Sequence, residues 1–275
     1  MQGQETMTDY RIGVTGCAGR MGTTLLRQIA GTGGCVIAGG SEAAGHPSVG
    51  QDVGRAAGLD ETGIKITGEA AELFSACDAV LDFTVPKATV LHAGLAAETG
   101  TILVAGTTGL GATDEAALTD AAKRTPIIYA ANFSVGVNIL LRLTELAAET
   151  LDEDFDIEIA EMHHRKKVDA PSGTALALGL AAAAGRRVEL DGVAQRGRDG
   201  ITGERRRGDI GFSSLRGGNV VGDHTVVFAS DNERVELTHK AQDRSLFSAG
   251  AVRAALWARD KPAGLYNMRD VLGLN

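Results

Sequence analysis

The sequence predicts an α/β chain of two parts, a parallel-sheet domain of Rossmann type followed by an α+β domain. Three observations carry this. Apolar strand patterns alternate with helical ones up to about Asn132, the grammar of βαβ units. A glycine-rich turn sits between the first strand and the first helix, where such folds hold phosphate. Beyond Asn132 the pattern changes to a long helix and then to strands. The length, 275 residues, fits two ordinary domains at roughly 150 residues each.

In chain order, residues 1–9 are polar and patternless and read as a flexible leader. Residues 11–15 read as a strand, 20–30 as a helix and 35–39 as a strand. Residues 79–83 are a strand, 88–98 a helix, 101–105 a strand, 114–124 a helix and 126–130 a strand. Val137, Leu140, Leu141, Thr144, Ala148 and Leu151 then mark one face of a long helix. Phe155, Ile157 and Ile159 alternate with Asp156, Glu158 and Ala160, a half-buried strand. Residues 175–184 read as helix. Residues 220–228 and 234–239 read as strands joined by a polar turn at 230–233, so antiparallel pairing is expected here. Residues 248–257 are helical again and return to the first domain. The expected domains are therefore 1–133 with 244–275, and 134–243.

Composition narrows the class. Hydrophobic residues make up 44% and charged residues 23%, ordinary for a globular chain. Glycine, 37 of 275, is about twice the common usage of roughly 7% and clusters where strands should end. The run at 175–184 is far short of the roughly 20 apolar residues of a membrane span, and no signal peptide opens the chain. A cytoplasmic location is expected. Cys17, Cys35 and Cys77 show no CxxC spacing, so neither a disulfide framework nor a zinc site is expected. The net charge of −8 disfavours nucleic acid. One basic run stands out, Arg196, Arg198, Arg205, Arg206 and Arg207. It reads as a solvated loop or as one that closes over an anionic ligand.

The first chemical signal is Gly16-Cys17-Ala18-Gly19-Arg20-Met21-Gly22. Glycine there gives a tight turn, lets the backbone approach a pyrophosphate and packs the helix near the strand. The helix start adds free N–H groups and a positive dipole end. Glu42, 20 residues beyond Gly22, stands where a carboxylate accepts hydrogen bonds from ribose hydroxyls. Asp82-Phe83-Thr84 and Gly106-Thr107-Thr108-Gly109 follow two further strands, where ligands of open α/β sheets sit.

The second signal is Glu161-Met162-His163-His164-Arg165-Lys166-Lys167-Val168-Asp169-Ala170-Pro171-Ser172-Gly173-Thr174. Histidine moves protons near neutral pH, and a lysine among cations is a proton donor. Ser172, Gly173 and Thr174 open a helix and make an anion site. Proton donors thus stand beside a carboxylate cradle. Adjacent histidines project apart and no third ligand recurs at zinc spacing, so no metal is expected.

These runs, with Ala-Ala-Asn-Phe-Ser-Val-Gly-Val-Asn at 130–138, Gly222-Asp223-His224 and Thr238-His239-Lys240, resemble the dihydrodipicolinate reductase family, also called 4-hydroxy-tetrahydrodipicolinate reductase. The resemblance runs from about Tyr10 to the end. It implies an enzyme of diaminopimelate and lysine biosynthesis that uses NADH or NADPH to reduce a cyclic imine dicarboxylate. It implies that Gly16, Cys17, Ala18, Gly19, Arg20 and Met21 hold the pyrophosphate and Glu42 the adenosine ribose. Phe83, Gly106, Thr107, Thr108, Ala130, Ala131, Asn132 and Phe133 then flank the nicotinamide side. His163 and Lys167 are the implied acid/base pair, and His164, Ser172, Gly173 and Thr174 the implied substrate site. A homotetramer is implied as well. Position 166 is Lys where many relatives carry His, and an extra cation there would lower the pKa of Lys167 by repulsion.

Two rival functions differ in their demands. A semialdehyde dehydrogenase would need a nucleophilic cysteine at a strand–helix junction, and none of the three suits. A dinucleotide sensor without catalysis would not need His163, His164 and Lys167 beside an anion site. As to the cofactor, Glu42 suits both ribose hydroxyls of NADH, and Ala43-Ala44-Gly45 follows it without an arginine. NADH is expected to be preferred and NADPH tolerated.

Overall fold

The computed structural model describes residues 9–274, so the leader expected at 1–9 lies, apart from Asp9, outside the described residues. Contacts gather the chain into two units. One comprises the residues up to Ser134 together with Ser245–Gly273, the other Val135–Arg244.

The first unit runs β1 (Tyr10–Thr15), α1 (Arg20–Ala30), β2 (Cys35–Ser41), α2 (Val53–Ala56), α3 (Ala70–Ala76), β3 (Ala79–Asp82), α4 (Pro86–Thr99), β4 (Ile102–Ala105), α5 (Ala112–Ala121) and β5 (Pro126–Tyr129). The second runs α6 (Val135–Thr150), β6 (Asp156–His163), α7 (Gly173–Arg186), α8 (Leu190–Val193), β7 (Ala194–Gln195), β8 (Ile210–Arg216), β9 (Gly222–Ala229) and β10 (Arg234–Ala241). The chain then returns to the first unit with α9 (Ser245–Ala258), β11 (Gly264–Tyr266) and α10 (Met268–Leu272).

The first sheet has the order β11-β5-β4-β3-β1-β2, all parallel. Its central strands β3 and β4 are buried along their whole length. That is why they read as continuous apolar runs rather than alternating ones. Proline at the first position of α4 and glycine at its left-handed end, Gly100 with φ 74°, bound that helix as sequence grammar requires. Helix α9 packs against α1, α10 and strands β3 to β5. Its Ala251, Val252, Ala254, Ala255 and Ala258 belong to the same core as Ile12, Val14, Leu25 and Ile29.

The second sheet has the order β10-β9-β6-β8-β7. It is mixed rather than purely antiparallel. β6 pairs antiparallel with β9 but parallel with β8, a strand the sequence pattern does not announce. A parallel neighbour requires a long crossover, and α7 with α8 supplies it. Helix α7 packs on β6, β8, β9 and α6, burying Leu178, Ala182, Ile157, Ile159, Phe212, Val226 and Phe228.

Candidate active site

In the first unit the turn from β1 to α1 is bent by Gly16, with φ 60°. Gly19 caps the helix without any side-chain hydrogen bond, so the first N–H groups of α1 have no side chain over them. A Cβ added at Gly22 would lie 2.1 Å from the Gly16 carbonyl oxygen and 2.6 Å from the Cys17 Cα. Helix and turn are therefore closer than any side chain permits. That is the cradle a pyrophosphate needs, and these residues fit a dinucleotide. Ala18 and Met21 are partly covered, Arg20 is exposed, and the Cys17 side chain is fully buried. Burial pushes the Cys17 thiol up to about 12. Glu42 follows β2 and accepts the Ala18 N–H at 2.8 Å, which places its carboxylate at the turn.

At the neighbouring strand ends Phe83 lies over Gly106, where an added Cβ would come within 2.1 Å of the ring. Its ring is 5.4 Å from that of buried Phe133. The Thr107 hydroxyl accepts from Thr89 at 2.7 Å and is buried, whereas Thr108 is exposed. Ala130, Ala131 and Asn132 follow β5, and Asn132 Oδ1 accepts the Ser134 N–H at 2.8 Å. Asp82, without any exposure, accepts from the Thr15 hydroxyl at 3.1 Å and the Thr84 N–H at 3.0 Å, and pairs with His92 at 3.0 Å. Burial would raise its carboxyl, but the His92 and threonine contacts hold it below the usual range. Asp82 thus ties together the ends of β1 and β3.

In the second unit the alternation of β6 carries straight from core to chemistry. Ile157, Ile159, Glu161 and His163 all point to the buried face. The Glu161 side chain is 1% exposed. His163 Nδ1 lies 2.5 Å from Glu161 Oε2, which also accepts from Arg216 at 2.9 Å. Glu161 Oε1 accepts the Ser172 N–H at 3.3 Å. Burial would raise the Glu161 carboxyl, but Ser214, His163 and Arg216 together hold it below its ordinary value. His163 Nε2 has no hydrogen-bond partner among the described residues.

Ser172 is the N-cap of α7. Its hydroxyl accepts the Ala175 N–H at 3.2 Å and meets His224 Nε2 at 3.1 Å. At 1% exposure its side chain works inward, so the outward-facing members of the helix start are exposed Gly173 and half-buried Thr174. The His224 ring stands edge-on to His163 with centroids 5.1 Å apart. Burial, then the neighbouring His163, lowers His224 to about 4, so it is neutral at physiological pH. His164 is half-buried, and its Nδ1 is buried with no partner.

Lys167 is not set among cations alone. Its Nζ lies 2.9 Å from one oxygen of Asp169 and 2.8 Å from the other. Arg216 also donates to the Asp169 carbonyl at 2.7 Å, and Gly217 N–H to the His163 carbonyl at 2.9 Å. The segment after β6 is thereby pinned to the end of β8.

Two arginines of the following loop, Arg198 and Arg205, pair with carboxylates of β6, while Arg196, Arg206 and Arg207 stay exposed. Arg198 grips Glu158 with two hydrogen bonds, at 3.0 and 2.8 Å. Arg205 reaches Glu158 at 2.9 Å, Asp156 at 2.6 Å and the carbonyls of Ile157 and Asp209. Arg207 pairs with Asp154. The loop is largely solvent-exposed, as the first reading of the run expects, and the clamp by Arg198 and Arg205 is the part that neither reading anticipates.

The structure thus gathers His163, His164, Lys167 and Ser172 to Thr174 in one unit and the glycine turn, Glu42, Phe83, Gly106 and Phe133 in the other. Sequence reasoning gives no role to Glu161, His224 or Arg216, and it reads Asp82 as part of a strand-end run open to a ligand, whereas its side chain is fully buried and bonded within the protein. A signal exists for Glu161: it extends the apolar alternation of Ile157 and Ile159, where a lone carboxylate demands partners. Arg216 ends a strand the pattern does not announce. All three cysteines are free and buried. Burial raises each thiol, so none suits nucleophilic catalysis.

Comparison with known proteins bears on this arrangement. Residues 10–133 match the family described as "Dihydrodipicolinate reductase, N-terminus" and residues 136–272 its C-terminus. A 4-hydroxy-tetrahydrodipicolinate reductase of Rhodopseudomonas palustris (strain BisB18) is 53% identical over 269 residues, covering 98% of this chain and 99% of its own. One of Parvibaculum lavamentivorans is 55% identical over 267 residues, covering 97% and 98%. Among solved structures, the dipicolinate-bound dihydrodipicolinate reductase from Paenisporosarcina sp. TG-14 superposes with a TM-score of 0.75 at 23% identity, covering 94% of this chain and 97% of that one. An amine dehydrogenase from Mycobacterium smegmatis superposes at 0.60 with 14% identity over 94% and 95%. At these identities the superpositions speak to fold alone.

Proposed function

Because this chain belongs to the dihydrodipicolinate reductase family and is an oxidoreductase of lysine biosynthesis using NAD(P)H, we propose a division of its chemistry between the two units. The first unit binds the cofactor across the glycine turn, Glu42 and the strand ends at Phe83, Gly106 to Thr108 and Ala130 to Phe133. The second binds the cyclic imine dicarboxylate and carries the protonation. Bound reduced nicotinamide supplies the hydride. Hydride addition to the conjugated ring leaves an enamine, and one proton on a ring carbon restores the imine. His163 and Lys167 deliver that proton. His164, Gly173 and Thr174 hold the carboxylates, with Ser172 shaping the helix start. The observation that carries this reading is the unpartnered Nε2 of His163, whose ring is held by Glu161, the same carboxylate that accepts the Ser172 N–H at the start of α7. The test is an absorbance assay following oxidation of the nicotinamide, with substrate made in situ from pyruvate and aspartate semialdehyde. No turnover would sink the reading.

NADH is the preferred cofactor and NADPH is tolerated. A carboxylate at Glu42 suits two ribose hydroxyls, whereas a 2′-phosphate would face it as a dianion. No Lys or Arg follows Glu42 until Arg55. Arg20 in the turn is the close cation. Ala43→Arg should move kcat/KM towards NADPH. A wild type favouring NADPH by about tenfold, roughly 1.4 kcal/mol, overturns the preference. The enzyme works as a cytoplasmic homotetramer. Supporting self-association, the residues of the second sheet that alternate with its core positions, Ala160, Met162, Leu215 and Val227, are partly or well exposed. Light scattering on the purified chain measures the mass.

A further inference from the structure

We propose that Glu161 is a positioning residue for the reaction. It holds His163 by Nδ1, so that Nε2 is the nitrogen offered to substrate, while Gly222 is kept bare so that this nitrogen stays open. The proposal rests on the reading of His163 as a proton donor.

Glu161 and His163 are two apart on one strand, so their side chains leave the same face. The His163 ring closes onto its neighbour's carboxylate at 2.5 Å. That carboxylate cannot swing away. Arg216 from β8 holds the same oxygen at 2.9 Å, and the Ser172 N–H holds the other at 3.3 Å. A carboxylate held ionised accepts only, so Nδ1 must carry a proton. In the neutral ring Nε2 is then the acceptor, and in the charged ring it is the donor facing away from Glu161. The groups set around His163 are consistent with a single ring orientation. Glu161 is on its own strand, Arg216 satisfies that acid from β8, and His224 stands edge-on from β9 at 5.1 Å. Lys167 in the following segment is engaged with Asp169.

Gly222 begins β9. Its φ is not in the left-handed region, so the backbone does not ask for glycine there. The space does: an added Cβ would stand 3.0 Å from His163 Nε2 and 3.5 Å from its Cδ2. A methyl group at this point would crowd the one nitrogen that has no partner.

The experiment combines kinetics with nitrogen NMR of the full chain. Expected are an Nδ1–H tautomer for neutral wild-type His163 and, in Glu161→Gln, a shift towards Nε2–H. Glu161→Gln should lower kcat on the order of 10²-fold, a typical worth of acid catalysis, with substrate KM and cofactor affinity held within about twofold. Glu161→Asp, which keeps the charge but withdraws it, should fall between. Gly222→Ala should lower kcat about tenfold with its melting temperature unchanged. His163→Ala separates the two layers. If it loses activity while Glu161→Gln keeps wild-type kcat, the positioning role is wrong and the reading of His163 stands. If His163→Ala keeps wild-type kcat, the reading itself fails and the proposal with it. Should Glu161→Gln not fold, the wild-type spectrum decides: an Nε2–H tautomer overturns the proposal, an Nδ1–H tautomer supports it.

Discussion

Two histidines one strand apart, His163 and His224, live under opposite rules, and neighbouring groups explain why. His163 has a carboxylate at its back. His224, 4% exposed, has a serine hydroxyl, and burial holds it near 4. The unfolded chain takes up a proton near 6.5 that folded His224 refuses. The stability this group contributes is therefore full above pH 6.5 and falls as pH drops towards 4, by roughly 3 kcal/mol in all. Urea unfolding between those limits should show the slope in wild type and a flatter one in His224→Gln. Equal slopes would show that His224 is not the group responsible. For the donors, His163→Ala and Lys167→Ala should each cut kcat by roughly 10²–10⁴-fold with little change in nucleotide affinity by fluorescence titration, since protonation belongs to the transition state. At this scale the sequence exposes residues whose type announces chemistry, such as His163 and Lys167. It hides Glu161 and Arg216, whose importance lies in partners brought from other elements.

Strand β6 shows how an element can be both core and site. One face starts with Ile157 and Ile159 and ends with Glu161 and His163, so the apolar residues that fix its register also fix where the polar pair lands. The turn from β1 to α1 has the same economy, because its backbone is at once the helix entry and the phosphate cradle. Gly22→Ala would drive a Cβ into the Gly16 carbonyl. We expect a folded protein by circular dichroism whose nucleotide affinity is weaker by at least about tenfold, or 1.4 kcal/mol. Undiminished affinity would show that the turn can relax. Elements with a full period of pattern, such as α1 and α6, or with an unbroken apolar run, such as β4, are legible in the amino-acid sequence. The short α2 and β11 are not, since four and three residues are too few for a period to register. β8 escapes because only its first three residues are buried, which leaves no alternation to read.

For the whole molecule, the largest departure from expectation is the loop at 196–209, whose arginines fasten to Asp154, Asp156, Glu158 and Asp209. Arg205, 19% exposed in its side chain, is the centre of that clamp. Arg205→Ala should cost roughly 2 kcal/mol of stability, the value of a half-buried charge left without its hydrogen bonds. Arg207→Ala, at an exposed pair, should cost less than about 1 kcal/mol. Urea midpoints compare the two, and equal losses would mean that the clamp is not centred on Arg205. The chain's return to its first unit has a further consequence, for synthesis. A ribosome delivers the second unit as one continuous stretch, Val135–Arg244, before α9, β11 and α10 exist. The nascent first unit must wait with the apolar surface of β3 to β5 that α9 will cover still open to solvent, and such surface is where aggregation begins and chaperones bind. The part of the enzyme translated first is thus the part finished last.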